Sequence, residues 1–282
     1  MFFELSLILL LWWGWVNLSI LFLIINVVGH KFIKIIFAGF WSRYCVDRYN
    51  DIADSFKIEL FKELNDMKRQ EKITILEIGA GSGTNFKYYN RPAIVQAVEP
   101  NRHFESFLKE NGSKYPLLDV DDMKVAFGED LMVAGIEDNS FDAVVMTLVL
   151  CSVEDQQKVY QEVRRVLKPG GKFFFMEHIA DDESSTMFLI QKFLMECGLW
   201  PFVFDGCNID RATDEEMKKA GFAKIEATRY NLPINDSQPF WFKIAMKIIR
   251  RHVMGIATKE GKEYSVTKSI EEQHTSQSPT RA

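Results

Sequence analysis

Blocks of apolar and polar residues follow one another along the chain and predict an alternation of strands and helices. Runs rich in Val, Ile and Phe predict strands, whereas apolar residues spaced three and four apart predict helices. The predicted strands span residues 73–79, 93–99, 141–150, 171–180, 222–230 and 252–259, and the predicted helices span residues 103–111, 155–167 and 186–200. Strands that alternate with helices build parallel sheets covered by helices, so we expect an α/β, doubly wound fold.

The first 30 residues differ from this pattern because they are almost uniformly apolar. No residue between Leu5 and Val28 carries a charge, and roughly 20 apolar residues are enough for a helix to cross a bilayer. The run is too long for a signal peptide, and no basic segment precedes it. We therefore predict an N-terminal hydrophobic membrane anchor at residues 1–30.

The residues in and around the anchor bear on its orientation. Lys31 and Lys34 follow the apolar segment and no Lys or Arg precedes it, so the positive-inside rule puts the rest of the chain in the cytosol. Trp12, Trp13 and Trp15 lie near the middle of the segment, although tryptophan prefers the membrane interface. Both a transmembrane span and a monotopic hairpin in one leaflet fit this sequence.

The remaining chain divides into three parts. Residues 31–71 predict a helical connector, residues 72–259 contain all the predicted strands and form the expected domain, and residues 260–282 form a polar tail that we expect to be disordered. A formal net charge of −5 gives no basic field for nucleic acid. The four cysteines include no CxxC pair, so we predict neither a disulfide framework nor a metal site.

A glycine-rich turn follows the first predicted strand of the domain. The segment ILEIGAGSGTN places Gly79, Gly81 and Gly83 where a buried strand ends and backbone can approach a ligand. Glu99 ends the next strand, 99 − 79 = 20 residues later, and a carboxylate there can accept hydrogen bonds from both ribose hydroxyls of a nucleoside. The glycines depart from the G-x-G-x-x-G spacing of dinucleotide enzymes and fit S-adenosylmethionine, which has no pyrophosphate.

Further segments complete the pattern. FGEDL places Glu129 and Asp130 after a short predicted strand, where an acid can hold the amino group of an adenine. VRRVLKPGGKFFF predicts a helix, a Pro-Gly-Gly turn and a strand. As an ordered set, LEIGAGSGTN, VEPN, GEDL, FDAVV and RRVLKPGG resemble the class I S-adenosylmethionine-dependent methyltransferases over about residues 72–259.

The resemblance extends to a narrower group. GTNFKYY, EPNRHFESFLKEN, TLVLCSVED, DGCNIDRAT and HVMGIATK look like the methyltransferase-like 7 group, membrane-anchored alkyl thiol S-methyltransferases of the endoplasmic reticulum and lipid droplets. This resemblance implies a Rossmann-like sheet of seven strands with the last antiparallel. It also implies S-adenosylmethionine as cofactor, a small hydrophobic thiol as substrate, and a domain that faces the cytosol at either membrane. Glu99 stands where the group commonly has Asp, and one extra methylene still reaches the ribose.

The resemblance also implies which residues contact the cofactor. The contacts come from the glycine turn and its flanks, from the end of the second strand, and from the stretch after the third strand. We therefore expect cofactor contacts from Glu77, Gly79, Gly81, Gly83, Asn85, Glu99, Asn101, Glu129, Asp130 and Thr147.

Candidate acceptor residues lie at the edge where open α/β sheets bind ligands. His178 ends the KFFFMEH strand and can take a proton or orient the substrate. Asp205 and Cys207 lie in DGC, in the region that often covers the acceptor pocket in such enzymes. We interpret Cys151 as a small packing residue of a core strand. Because the sulfonium charge favours a thiolate, a dedicated base is not required.

Two alternatives to a thiol S-methyltransferase fit the residues. The acceptor can instead be a quinone-type ring carbon or a lipid hydroxyl, because only the resemblance favours sulfur. The chain can also be a non-catalytic scaffold of the endoplasmic reticulum or lipid droplet. The intact glycine turn and Glu99 argue against a scaffold, which needs neither.

Overall fold

The structure is a computed structural model that describes residues 32–67, 71–234 and 236–261. The predicted membrane anchor and nearly all of the predicted tail lie outside these residues. Within the described ranges, no helix combines the length and apolar character that crossing a membrane requires.

One sheet contains the seven strands β1 (Ile73–Ile78), β2 (Ala93–Val98), β3 (Leu118–Val120), β4 (Phe141–Thr147), β5 (Leu167–His178), β6 (Lys224–Asn231) and β7 (Arg251–Thr258). Their order across the sheet is β3-β2-β1-β4-β5-β7-β6. The pairs from β3 to β5 are parallel, and β7 runs antiparallel between β5 and β6. The predicted α/β sheet with an antiparallel last strand is therefore confirmed.

Helices cover both faces of this sheet. They are α1 (Val46–Asp66), α2 (Glu105–Gly112), α3 (Gln156–Val166), α4 (Thr186–Glu196), α5 (Leu199–Val203), α6 (Thr213–Lys218) and α7 (Phe240–Ile248). Helical residues 32–40 and a π-helical turn (Trp41–Cys45) lead into α1. One core cluster joins α1, α2 and α7 to the sheet, and a second joins α3 and α6 to its other face.

The central strands are buried along almost their whole length because both faces are covered. All residues of β1 except Thr74 are buried, as are all residues of β2 except Ile94, which is typical of parallel strands between two helical layers. The segment 31–71, predicted as a connector, contributes to the same core. Tyr49, Phe61 and Leu64 of that segment belong to the cluster that contains the β1 side chains.

Strand β5 begins at Leu167, four residues before its predicted start, and so includes the predicted Pro-Gly-Gly turn. Two other predicted elements are cut short by left-handed backbone. The helix predicted over residues 186–200 breaks at Gly198, whose φ of 68° separates α4 from α5. The strand predicted over residues 141–150 ends at Thr147, because Leu148 has a φ of 58° and turns the chain. As a consequence, Cys151 lies in a loop at the carboxyl edge of the sheet and not inside a strand.

Candidate functional site

A cavity lies at the carboxyl edge of the parallel strands, the edge where open α/β sheets bind ligands. One end, which we call the glycine end, is lined by Gly79, Gly81, Glu99 and Thr147. Another part of the lining, which we call the apolar end, is formed by side chains of α5 and α7 and of the residues that follow these two helices. These side chains are Trp200, Phe204, Ala245, Met246 and Ile249.

Two of the three glycines are required by the turn itself. Gly79 has a φ of 65°, and a Cβ there would lie 2.3 Å from a methyl group of Val149. Gly83 has a φ of 73°, and its Cβ would lie 2.5 Å from the ring of Phe86. Side chains at these positions would combine left-handed strain with a steric clash. Gly79 and Gly83 therefore let the chain leave β1 and pack closely against its neighbours.

Gly81 has a different role, because it leaves space at the cavity. The nearest atom to a Cβ built on Gly81 belongs to Phe104, 3.9 Å away. The amide of Gly81 points to Glu99 and donates a hydrogen bond to Oε2 at 3.1 Å. The amide of Asn101 donates to Oε1 at 2.9 Å. Each carboxylate oxygen of Glu99 thus keeps a lone pair for a ligand.

Burial makes Glu99 a weaker acid than a surface carboxyl. Its side chain is 7% exposed, and desolvation, together with the nearby Asp205 carboxylate, raises the pKa of Glu99 to about 7. The amides of Asn101 and Gly81 act in the opposite direction. A ligand that donates hydrogen bonds to the carboxylate would stabilise the ionised form further.

A buried hydrogen-bond network supports the glycine turn from behind. The Asn85 amide donates to Glu77 Oε1 at 2.9 Å and to Thr147 Oγ1 at 3.0 Å. Tyr89 donates to the other oxygen of Glu77 at 2.8 Å. Thr147 lines the cavity, whereas Glu77 and Asn85 lie behind it. The structure therefore connects these three predicted residues but brings only Thr147 to the cavity wall.

Lys57 completes the network, and sequence reasoning missed it. Its ammonium group donates to the side-chain carbonyls of Asn50 and Asn85, both at 2.9 Å. Lys57 is 1% exposed and lines the cavity. Burial lowers the pKa of Lys57 to about 7 and raises the pKa of Glu77 to about 7. In the sequence, Lys57 stands out only because it lies among the apolar residues of α1. Surface lysines often occur in the same kind of pattern.

Asn101 links the end of β2 to the cover of the cavity. Its side-chain amide donates to the carbonyl of Lys34 at 3.0 Å and to Asp205 Oδ2 at 3.2 Å. Asp205 has a φ of 47° and lines the cavity. Asn101 itself lies behind the cavity wall. The two predicted residues thus tie helical residues 32–40 and the loop after α5 to the cofactor edge.

Glu129 and Asp130 have local partners instead. Glu129 Oε1 accepts a hydrogen bond from the amide of Glu154 at 2.6 Å, and its Oε2 is buried with no partner among the described residues. Asp130 Oδ1 accepts from the amide of Val133 at 3.3 Å. Neither side chain lines the cavity, so the structure does not bring these two predicted residues to the glycine end.

Polar groups beside the apolar end come from three separate loops and strand ends. His178 Nε2 lies 3.1 Å from Cys207 Sγ, and the indole of Trp200 donates to the same sulfur at 3.4 Å. Cys151 lies beside them, and the sulfurs of Cys151 and Cys207 and a ring nitrogen of His178 are all within 4.8 Å of one another. All four cysteines of the chain are free. Sequence spacing gave no sign of this cluster.

Tyr49 of α1 also lines the cavity and was not predicted. Its hydroxyl lies 3.1 Å from His252 Nε2, while His252 Nδ1 lies 3.2 Å from the carbonyl of Arg250. Burial lowers the pKa of His252 to about 3, so the ring is neutral at physiological pH. Its Nδ1 therefore donates to the carbonyl and its Nε2 accepts from Tyr49.

The residues present fit a nucleoside cofactor at the glycine end. Glu99 offers two carboxylate oxygens with free lone pairs, and Gly81 leaves space directly beside them. The same cavity continues to the apolar end. A reacting group placed between the two ends would therefore face both a nucleoside site and an apolar acceptor site.

Comparisons with known proteins agree with this geometry. The profile of a family described as a methyltransferase domain matches residues 76–175. The chain is 35% identical to human thiol S-methyltransferase TMT1A over 235 residues, which cover 79% of this chain and 91% of that protein. It is 37% identical to rat thiol S-methyltransferase TMT1B over 207 residues, which cover 73% and 79% of the two chains.

Solved structures show the same fold at low sequence identity. The YcgJ protein of Bacillus subtilis matches with a TM-score of 0.53 at 14% identity, covering 73% of this chain and 99% of that one. A SAM-dependent methyltransferase of Thermotoga maritima matches with a TM-score of 0.51 at 18% identity, covering 80% and 99%. These likenesses concern the fold alone.

Proposed function

The chain belongs to the family of S-adenosylmethionine-dependent methyltransferases that includes the thiol S-methyltransferases TMT1A and TMT1B, and from this premise we propose that it methylates the sulfur of small hydrophobic alkyl thiols at a membrane surface. Its cofactor is S-adenosylmethionine. The acceptor class and the membrane location are the proposed parts.

One observation carries the proposal: a single cavity joins the glycine end to the apolar end. S-adenosylmethionine, when bound, supplies a methyl group on a positively charged sulfur. Glu99 accepts hydrogen bonds from the ribose hydroxyls, and Gly81 leaves room for the nucleoside. Trp200, Phe204 and Met246 exclude water and hold the acceptor against the methyl group. Positioning of this kind can lower a barrier by roughly 7–11 kcal/mol.

The chemistry of the apolar end supports a sulfur acceptor. An alkyl thiol is mostly apolar, and the lining supplies aromatic and aliphatic side chains with few polar groups. The polar groups beside the acceptor are two thiols and an imidazole, from Cys151, Cys207 and His178. Thiols are soft and weakly polar, and the imidazole is a weak base. A quinone or a lipid hydroxyl would instead require hydrogen-bond partners for its oxygens.

Exposed apolar side chains support a membrane location. Helical residues 32–40, α5 and α7 carry large apolar side chains that are exposed: Phe32, Ile35, Ile36, Phe40, Leu199, Phe202, Val203, Phe240, Trp241 and Ile244. Phe40 and Trp241 pack together, with ring centroids 5.5 Å apart. A surface of this kind is typical of contact with a membrane or a protein.

We choose the membrane because the chain just before helical residues 32–40 is the uncharged segment from Leu5 to Val28. With that segment inserted, the outer faces of these helices rest on the bilayer and the domain faces the cytosol. Apolar thiols dissolved in lipid then have a short path to the cavity. We propose the endoplasmic reticulum membrane and lipid droplets as the location, as the resemblance implies.

The function is tested with the full-length protein in lipid vesicles and labelled S-adenosylmethionine. The acceptor panel contains small alkyl thiols, phenols and quinols, and Glu99→Ala serves as the matched variant. We expect label on the thiols, and far less label with the variant at a cofactor concentration near the wild-type Kd. Label on oxygen or carbon acceptors alone would overturn the thiol assignment. Cofactor binding without transfer to any acceptor would favour the scaffold alternative.

A further inference from the structure

Three side chains with strong affinity for soft metal ions meet beside the apolar end. They come from distant parts of the chain: Cys151 from the loop after β4, His178 from the end of β5, and Cys207 from the loop after α5. Their ligand atoms all lie within 4.8 Å of one another, and no residue of the three is more than 9% exposed. Three elements of the fold thus converge on one small volume.

The donor set matches a known kind of zinc centre. Two Cys and one His ligate zinc in catalytic sites that keep a fourth position open. With Zn–S of about 2.3 Å and Zn–N of about 2.0 Å in a tetrahedron, the donor atoms lie about 3.5–3.8 Å apart. Here the His178–Cys207 separation is 3.1 Å, and the largest separation in the cluster is no more than 4.8 Å. Small side-chain rotations are enough to reach coordination distances.

Neighbouring groups hold the sulfurs in place, as expected for metal ligands. The indole N–H of Trp200 donates to Cys207 Sγ at 3.4 Å, which stabilises a thiolate. The hydroxyl of Ser152 lies 3.5 Å from Cys151 Sγ and can donate to a thiolate, whereas the contact of 3.7 Å from the Cys151 thiol to the carbonyl of Leu148 is lost when the thiol ionises. The cluster is therefore supported on both sulfurs by groups outside the ligand set.

The open side of the cluster faces the cavity, because all three residues line it. We infer that Cys151, His178 and Cys207 form a Zn²⁺ site whose fourth position takes the sulfur of the acceptor. This inference rests on the proposed function. At this site His178 is a metal ligand. The Zn²⁺ ion activates the acceptor thiol, which would otherwise be mostly protonated at neutral pH.

The step balances without a redox partner. The acceptor thiol displaces water from the fourth position, binds Zn²⁺ as a thiolate, and releases its proton to solvent. The thiolate sulfur then forms a bond to the methyl carbon while the carbon–sulfur bond of the sulfonium breaks, and that electron pair stays on the cofactor sulfur. The products are a methyl thioether and S-adenosylhomocysteine. The neutral thioether is a weak ligand and leaves the metal.

Cobalt tests the site independently of turnover. The full-length protein, in detergent with a phosphine reductant, is stripped of metal with a chelator and titrated with Co²⁺. We expect one equivalent to bind and to give a sulfur-to-cobalt charge-transfer band, whose intensity scales with the number of thiolate ligands. Cys151→Ser and Cys207→Ser should each lose about half of this band, because each removes one of two thiolates. The double variant should lose all of it.

Cys197→Ser is the matched control, because Cys197 is an exposed cysteine outside the cluster, and its band should equal that of the wild type. No cobalt uptake by the wild type, or an undiminished band in the double variant, would overturn the inference. A disulfide between Cys151 and Cys207 that persists in the reductant would also overturn it. S-adenosylmethionine binding by each variant confirms that it is folded.

Adding a small alkyl thiol to the cobalt protein tests the fourth position. We expect the charge-transfer band to increase by about half as a third sulfur enters. An unchanged band would overturn thiol binding at the metal. Full thiol methylation by metal-free protein that takes up no cobalt would overturn the zinc site and leave the proposed function intact. A normal cobalt–thiol band without methylation of any thiol would count against the proposed function instead.

Discussion

The glycine end and the apolar end of the cavity are built from different parts of the fold. The glycine end consists of backbone turns at the ends of β1, β2 and β4, and a network from Lys57 to Thr147 fixes its polar contacts. The apolar end consists of helix faces and loops, beside the polar cluster of Cys151, His178 and Cys207. In the proposed function, the edge of the sheet therefore holds the cofactor, whereas the surrounding helices select the acceptor.

This difference implies that variants at one end should leave the other end functional. Cofactor affinity and acceptor kinetics are separate measurements. We expect variants at the glycine end to change mainly cofactor affinity, and variants at the apolar end to change mainly acceptor kinetics. A variant that changes both would show that the two ends are coupled.

Glu99→Ala should give the largest effect, confined to cofactor affinity. It removes both hydrogen-bond acceptors for the ribose, and two hydrogen bonds to a charged group contribute about 3 kcal/mol together, or about 150-fold in Kd. Titration calorimetry with S-adenosylmethionine measures this loss. Glu110→Ala, which removes an exposed acid of α2, is the control. An affinity equal to that of the wild type would exclude Glu99 from the cofactor site.

Gly79→Ala and Gly81→Ala separate packing from ligand space within the glycine end. Gly79→Ala combines left-handed strain with a contact of 2.3 Å to Val149, so urea unfolding should show a loss of about 2–4 kcal/mol. Gly81→Ala has only the strain, about 1–2 kcal/mol. The double variant Gly79→Ala/Val149→Ala should recover part of the loss. Equal losses for the two single variants would refute this division of roles.

The pKa of Glu99 predicts a pH dependence of cofactor binding. Because this pKa lies at about 7 in the folded protein, the fraction of ionised Glu99 increases about tenfold between pH 6 and 8, and affinity should rise with it. Without cofactor, the effect of pH on stability has the opposite sign. The folded state holds the proton of Glu99 more tightly than the unfolded chain does, so the free energy of unfolding falls as pH rises from 4.5, the pKa of this carboxyl in the unfolded chain, towards 7.

Glu99→Gln is the control for both pH effects, because the amide does not titrate. Lys57 and Glu77 also have pKa values of about 7, so only the difference between the wild type and Glu99→Gln reports on Glu99. If the two proteins share the same pH profile of affinity, another group is responsible.

Ala245→Phe tests the apolar end alone. Ala245 lines the cavity from α7, and a benzyl group there should fill space that a bulky thiol needs. We expect kcat/KM for bulky alkyl thiols to fall by about tenfold, which corresponds to about 1.4 kcal/mol. The Kd for S-adenosylmethionine should change by less than about twofold. A large loss of cofactor affinity would show that α7 also shapes the glycine end.

The sequence predicted the glycine end of the cavity better than the rest of its lining. The glycine turn, Glu99 and Thr147 are adjacent to strands in the sequence, so local patterns were enough to bring them to one edge. Lys57 and Tyr49 come from α1, which precedes the sheet, and only tertiary packing turns them toward the cavity. The Cys151–His178–Cys207 cluster joins two loops and a strand end that are distant in the sequence. Hydrophobic periodicity predicts helices and strands, and it does not predict contacts between distant loops.

Two local features explain the two shortened elements. Left-handed backbone at Leu148 ended a strand that the apolar pattern continued, so Cys151 lies in a loop that lines the cavity, although it stays buried in a core cluster as predicted. Left-handed backbone at Gly198 broke a helix whose apolar pattern was continuous. Apolar patterns indicate burial on either side of such a turn, and they do not indicate the turn itself.

Substitutions on the outer face of α7 should have the smallest effect on activity, and only when lipid is present. Replacing Phe240, Trp241 and Ile244 by Ser removes apolar side chains that are 76%, 45% and 43% exposed. In full-length protein on vesicles, the apparent KM for a lipid-soluble thiol should rise roughly threefold to tenfold, because α7 would lose its proposed contact with the bilayer. For a water-soluble thiol it should not change.

The matched control replaces Phe127, Met132 and Val133, which are similarly exposed but lie between β3 and β4 and outside the cavity helices. This variant should show the wild-type KM for both thiols, because its apolar residues are not on the helices that we propose face the membrane. Equal effects of the two triple variants would mean that general surface hydrophobicity controls access to lipid. An effect of the α7 variant on the water-soluble thiol would mean that the helix shapes the acceptor site directly. Only a change restricted to the lipid-soluble thiol and to α7 supports delivery of the acceptor from the membrane to the apolar end.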